Sequence, residues 1–187
     1  LGSLQDLVKA VGAQDTQPKL QAADRPKLPT GKLNAAKVCQ AVGALMPENA
    51  IISDEAQTSG LKLPLFTAGA PRHDLLALTG GAIGQGLPVA VGAAIAGGDR
   101  PVIALAGDGS AMYTIQSLWT IMNENLDVTV IILNNRSYAI LNIELERTGA
   151  QGAGPKAKSQ LDLSKTEIDF VSIAKGMGMP AETATTA

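Results

Sequence analysis

The chain has 187 residues, 45% of them hydrophobic but only 3% aromatic, so Ala, Gly, Ile, Leu and Val must build its core. That length suits one α/β domain with a short appended segment. The net charge of −2, with both signs dispersed, speaks against a nucleic-acid groove or an anionic membrane surface as partner.

At the N-terminus, Leu4, Leu7, Val8 and Val11 recur at helical spacing. Residues 13–30 hold Pro18, Pro26 and Pro29 among polar side chains and read as a linker. Residues 1–30 are therefore expected to be the end of a preceding domain and its linker. Residues 31–187 are expected to form the main domain, truncated at its C-terminus. The basic-then-apolar pattern of a secretion signal is missing, and the longest apolar run, Leu87 to Ala96, is too short to span a bilayer. The single cysteine, Cys39, reads as a small core residue on a helix. Together these predict a reduced, cytoplasmic protein.

From Leu33 to Met46, Val38, Ala41, Val42 and Leu45 predict a helix. Asn49 to Ile52 reads as a short buried strand leading into the polar stretch Ser53 to Gly60, and open α/β sheets bind ligands just past a strand's carboxyl end. Residues 61–78 read as irregular. Arg72 and His73 there read as a solvated loop, with an approach to substrate as the alternative. The glycine-rich turn Thr79 to Gly86 then opens a small-residue helix to Ala96.

Val102 to Ala106 and Val128 to Leu133 are continuous apolar runs of strand length, expected to be covered on both faces. Between them a helix is predicted from Ser110 to Asn123, with Ile115, Leu118, Trp119 and Met122 inward. Residues 146–166 are polar and Gly-rich and read as a mobile loop, and Ile168 to Lys175 as a helix. The alternation predicts a three-layer α/β/α domain with a mainly parallel central sheet.

The strongest chemical signal is Gly107-Asp108-Gly109, followed by Ser110, with residues 110–133 between that Gly-Asp-Gly and Asn134-Asn135. A helix and a strand between them would bring Asp108 and Asn135 to the ends of adjacent parallel strands. Both offer hard oxygen ligands, which suit Mg²⁺. Gly107 and Gly109 let backbone N–H groups approach an anion, and Ser110, opening the helix, adds a hydroxyl. Asp108, Asn135 and one backbone carbonyl would supply three of six ligands, with phosphate oxygens and water completing the shell. Rival signatures fail: there is no G-x-x-x-x-G-K-[ST], no G-x-S-x-G, and Met112 stands where a dinucleotide fingerprint needs its third glycine.

This order of strand, Gly-Asp-Gly, helix, strand and Asn-Asn resembles the diphosphate-binding signature of thiamine-diphosphate enzymes. From Leu28 to Pro180 the chain is similar to the C-terminal domain of the pyruvate-decarboxylase-like superfamily, nearest to the acetolactate synthase large subunit, with benzoylformate decarboxylase a neighbour. Gly84-x-Gly86-Leu87-Pro88 and Ser117-Leu118-Trp119 add to the likeness.

The resemblance implies thiamine diphosphate and Mg²⁺ as cofactors. Asp108 and Asn135 would be side-chain metal ligands and Ser137 a ligand through its carbonyl. Gly107, Gly109, Ser110, Thr58 and Gln57 would hold diphosphate. The Gly81 carbonyl would accept from the aminopyrimidine amine, and Ile83 would support the bent cofactor, so these two stand closest to catalysis. Tyr138 and Leu141 either line the substrate side or pack.

The implied activity is decarboxylation of a 2-oxo acid followed by carboligation or protonation, in a synthase two pyruvates giving 2-acetolactate and CO₂ for branched-chain amino-acid biosynthesis. A 2-oxo acid decarboxylase and a non-catalytic cofactor-binding module are the alternatives. The activating glutamate of the family sits on a pyrimidine-binding domain of a partner subunit, and neither Glu55 nor Glu144 takes its place. A homodimer or homotetramer is thus expected, with this stretch inactive alone. Any FAD site would belong to a middle domain outside it.

Overall fold

A computed structural model describes residues 1–19, 22–149 and 154–187. Four parallel strands form one sheet: β1 (Ile51–Glu55), β2 (Asp74–Ala77), β3 (Val102–Gly107) and β4 (Val128–Leu133), in the order β2-β1-β3-β4. The chain runs outward from β1 to β2, then returns across β1 to β3 and continues to β4. The direction thus reverses between β1 and β3, and the carboxyl edge at such a reversal is where open α/β sheets leave a crevice.

Nine helices are described. They are α1 (Gly2–Ala10), α2 (Ala35–Leu45), α3 (Leu63–Thr67), α4 (Gly86–Gly97), α5 (Asp108–Ala111), α6 (Ser117–Asn123), α7 (Ala139–Arg147), α8 (Pro155–Gln160) and α9 (Phe170–Gly176). One sheet face carries Ile52, Leu105 and Leu133 against Cys39, Val42 and Met46 of the α2 region and Leu63 of α3. The other carries Ile51, Val102, Ala104 and Ala106 against Leu87, Ala90 and Ala94 of α4. Leu118, Ile121 and Ala174 extend this second layer through α6 and α9. The expected three-layer α/β/α architecture is what the chain adopts, with small side chains on α4 letting that helix lie close on the strands. Cys39 is fully buried on α2, as expected of a core residue.

Several local expectations need correction. The first strand does not end at Ile52 but continues through Ser53, Asp54 and Glu55, because Ser53 and Glu55 are buried with hydrogen-bonding partners. Residues 61–78 are not irregular. They hold α3, with Pro64 in its first turn, and β2, an edge strand of four exposed residues too short for periodicity to reveal.

The helix expected from Ser110 to Asn123 is broken between α5 and α6 by tight turns, Tyr113 N–H to Ser110 and Thr114 N–H to Ala111, both at 3.2 Å. The break resets the phase. Leu118 and Ile121 face inward, while Trp119 is 57% exposed and Met122 is exposed too. Of the loop expected over 146–166, the start belongs to α7 and residues 155–160 form α8, while 150–153 lie outside the described residues.

Residues 22–30 lie against the domain: Arg25 donates to the carbonyls of Ala44 and Met46 at the end of α2, and Gln40 Nε2 donates to Lys27 at 2.7 Å. Thr185–Ala187 pair with Gly31–Leu33 through Leu33 N–H to Thr185 and Ala187 N–H to Gly31, each 2.9 Å. In α1 the residues Leu4, Leu7 and Val8 stay exposed. Among the described residues no helix is long and apolar enough to cross a membrane.

Candidate functional site

Register fixes the site. Pairing of Glu55 with Ala106 and of Gly107 with Leu133 brings the ends of β1, β3 and β4 level, so the segments that follow them meet at one edge. These segments are 56–60, 108–114 and 134–138.

Asp108 stands at the centre. It is 2% exposed, and its two carboxylate oxygens accept the N–H of Gly109 at 2.9 Å and of Arg136 at 2.6 Å. Burial pushes its carboxyl above the ordinary range, and the two N–H donors oppose that shift. Contrary to expectation, Ser110 does not open the helix: α5 begins at Asp108, with Gly107 as its cap, and Ser110 lies inside it, buried. Asn135 lies two residues past β4, where its Oδ1 accepts the Ser137 N–H at 2.9 Å. Ser137 Oγ donates to the Leu161 carbonyl at 3.2 Å and accepts from Asn142, which fixes the turn into α7.

Four non-glycine residues have positive φ among those described: Asn49, Asn125, Gln57 at 48° and Arg136 at 56°. Asparagine tolerates this region, whereas Gln57 and Arg136 pay for it. Both of these flank the crevice, and backbone strain of this kind gathers at functional sites.

Gly109 answers a steric demand. A Cβ at this position would run into the ring of Tyr138, which lies over the glycine. Burial, and then the neighbouring Tyr113 hydroxyl, push the Tyr138 phenol up.

The glycine-rich turn is held over the same edge. Glu55 accepts the N–H groups of Gly84 and of Gly86, the latter at 2.9 Å, and Ser53 Oγ donates to the Gly86 carbonyl at 2.8 Å. Gly81, with φ at 68°, accepts the Ile83 N–H at 3.0 Å, and Ile83 is half-buried. The second lone pair of that carbonyl stays available to another donor.

Arg72 and His73 lie elsewhere. The Arg72 carbonyl accepts the Asn49 N–H and His73 Nδ1 sits 2.7 Å from the Pro71 carbonyl, both at the amino edge of the sheet. Glu144 pairs with Arg147 on the surface of α7 at 2.7 Å, and Leu141 is exposed.

The oxygen groups that the ends of β3 and β4 bring to this edge are the Asp108 carboxylate, the Asn135 amide and the backbone carbonyls of the 134–138 turn. No group of three or more His, Cys, Asp or Glu side chains stands together among the described residues. An all-oxygen set with one negative charge fits Mg²⁺ that brings phosphate oxygens of its own, and does not fit a zinc or iron centre. The residues present therefore fit a magnesium diphosphate.

Residues 56–187 match the family model described as "Thiamine pyrophosphate enzyme, C-terminal TPP binding domain". The chain is 57% identical over 175 residues, 93% of its length, to the Mycobacterium tuberculosis protein named "Putative acetolactate synthase large subunit IlvX", covering 34% of that protein. It is 34% identical over 140 residues, 74% of its length, to the acetolactate synthase isozyme 1 large subunit of Escherichia coli, covering 24% of it. Among solved structures it is similar to the thiamine diphosphate-dependent 4-hydroxybenzoylformate decarboxylase of Rhodococcus jostii RHA1. The TM-score there is 0.77 at 31% identity, covering 99% of this chain and 34% of that one. The chain thus spans about a third, or less, of the length of each of these proteins.

Proposed function

Since the chain belongs to the thiamine pyrophosphate enzyme family, as its C-terminal TPP-binding domain, we propose that it supplies the magnesium- and diphosphate-binding half of a 2-oxo acid carboligase of acetolactate synthase type. The reaction would join two pyruvates into 2-acetolactate with release of CO₂. The observation that carries the cofactor reading is the meeting of Asp108 with the Asn135–Ser137 turn at the carboxyl edges of β3 and β4.

When bound, thiamine diphosphate supplies the electron sink for decarboxylation. The protein's part is to hold and orient it. Asp108, Asn135 and the Ser137 carbonyl would ligate Mg²⁺. Gly107, Gly109, Ser110, Gln57 and Thr58 would meet the diphosphate. Gly81 and Ile83 would contact the pyrimidine end. Tyr138 closes the floor beside Gly109.

The identity to acetolactate synthase relatives favours carboligation. The fold-level likeness to a benzoylformate-type decarboxylase supports decarboxylation with protonation as the second reading. The pyrimidine-binding domain would come from a partner subunit in a homodimer or homotetramer, in the cytoplasm, with residues 1–30 as the approach from a preceding domain.

Calorimetric titration of thiamine diphosphate with Mg²⁺, repeated with EDTA, tests the cofactor assignment in the complete polypeptide. Binding that disappears with EDTA is expected; indifference to the metal would overturn it. Pyruvate turnover then separates the activities: 2-acetolactate marks the carboligase, and acetaldehyde alone marks the decarboxylase.

A further inference from the structure

The turn that carries Gly81 and Ile83 has little to hold itself together. Its internal hydrogen bonds are Ala82 N–H to Thr79 at 3.3 Å and Ile83 N–H to Gly81 at 3.0 Å. Gly80, Gly81 and Gly84 all have positive φ, and glycines are the costliest residues to order. Its conformation must be imposed from outside.

Gly84 is where that happens. Its N–H donates to Glu55 Oε1, from the end of β1. Its carbonyl accepts Thr114 Oγ1 at 2.7 Å, from the segment that follows α5. A Cβ on Gly84 would lie 2.6 Å from Tyr113 Cβ, so that segment also packs directly on the turn.

Glu55 is 1% exposed, and a buried carboxylate is costly unless strongly hydrogen-bonded. Part of its role is to cap α4, whose residue Gln85 provides no side-chain cap. Capping alone needs only the bond to Gly86. The bond to Gly84 reaches outside the helix, onto the residue next to Ile83.

We propose that Glu55 and Thr114 are positioning residues that grip Gly84 from both sides and thereby set the distance between the Ile83 turn and the Asp108 diphosphate loop. The proposal rests on the thiamine-diphosphate reading. A ligand spanning from diphosphate to pyrimidine meets both ends of that span, whereas a bare diphosphate meets one. The two variants should therefore discriminate between these ligands.

The test uses the complete polypeptide with Mg²⁺, comparing thiamine diphosphate with inorganic diphosphate by calorimetry in Glu55→Gln and Thr114→Val. Glu55→Gln keeps one acceptor oxygen and loses the charge; Thr114→Val keeps the shape and loses the donor. Each should weaken thiamine diphosphate by about tenfold or more, the scale of a lost hydrogen bond in a site of this kind, and change inorganic diphosphate less than about twofold. Hydrogen exchange of a peptide covering residues 79–86, without ligand, should quicken in both variants while α6 keeps its protection.

Equal loss of both ligands would reduce the pair to general scaffolding and overturn the proposal. So would unchanged thiamine diphosphate binding. If Glu55→Gln does not fold, Thr114→Val decides the matter alone. Failure of the wild-type protein to bind either ligand would instead bring down the cofactor reading, and the proposal with it.

Discussion

The carboxylate of Asp108 accepts the backbone N–H of Arg136 across 2.6 Å, tying the end of β3 to the turn after β4. Arg136 takes a left-handed conformation at this bond, and its two chain neighbours are tied to each other by the Ser137 N–H donating to Asn135 Oδ1. The residue that would bind the metal therefore also shapes the loop that would complete its shell.

Two substitutions separate these roles. Asp108→Ala removes both the charge and the acceptor, so residues 134–138 should exchange amide hydrogens faster and Mg²⁺-dependent thiamine diphosphate binding should be lost. Asp108→Asn keeps one acceptor oxygen. It should preserve much of the loop's protection while weakening the metal-dependent binding by at least about tenfold, as removal of a charged partner does. Hydrogen exchange and calorimetry on the same preparations would check this, and equal loop protection in wild type and Asp108→Ala would contradict it.

Gly109→Ala places a methyl group in the ring of Tyr138. Overpacking of this kind costs about 1–3 kcal/mol, so the denaturation midpoint should fall. Tyr138→Leu in the same chain should recover part of the loss, because it removes the aromatic edge the methyl meets. Non-additivity in that double-mutant cycle is the expected signature; additive losses would place the ring elsewhere.

Burial holds the Asp54 carboxyl above its ordinary value of 3.8, against the opposing bond from Ala56 N–H at 3.0 Å. The folded state thus binds this proton more tightly than the unfolded chain. Its contribution to stability therefore falls as pH rises from 3.8 through the folded value, and the cost persists at neutral pH. Asp54→Asn keeps an acceptor for Ala56 and should raise the thermal midpoint at pH 7, with the two proteins converging in acid. The neighbouring Cys39 thiol is pushed up by burial and then by the Asp54 charge. It should resist a thiol reagent at pH 8 until the protein unfolds. Rapid labelling under native conditions would show that the α2 layer opens.

Leu118 and Trp119 are neighbours on α6 with opposite fates, the first 1% exposed and the second 57%. Leu118→Ala should cost about 2–5 kcal/mol in urea unfolding. Trp119→Ala should stay within about 0.5 kcal/mol for the isolated chain. The reverse ranking would mean that the helix continues unbroken from α5 and presents Trp119 inward.

The sequence by itself determined what depends on neighbours along the chain. Val102–Gly107 is apolar without alternation because both of its faces are covered, so its parallel, buried character was legible from composition; Val128–Leu133 was legible as a strand, but it lies at the sheet edge, with Thr129 exposed and only Leu133 buried. With those strands in place, Asp108 and Asn135 had to stand at their ends. Cys39 was legible as core for a similarly local reason, its place on an apolar helix.

What only the tertiary structure decided depends on partners distant in sequence. Ser53, Asp54 and Glu55 read as a polar loop until Gly84 and Gly86, about thirty residues on, supply hydrogen bonds that let a carboxylate be buried in a strand. The acid sharing a strand face with Ile51 and Ser53 was the one trace of this in the sequence. Tyr113 and Thr114 gave no signal, because they break a predicted helix only to pack on Gly84. Periodicity reports which face of a segment is apolar. It does not report where the segment is interrupted by a contact with another, and at this site such contacts set the geometry.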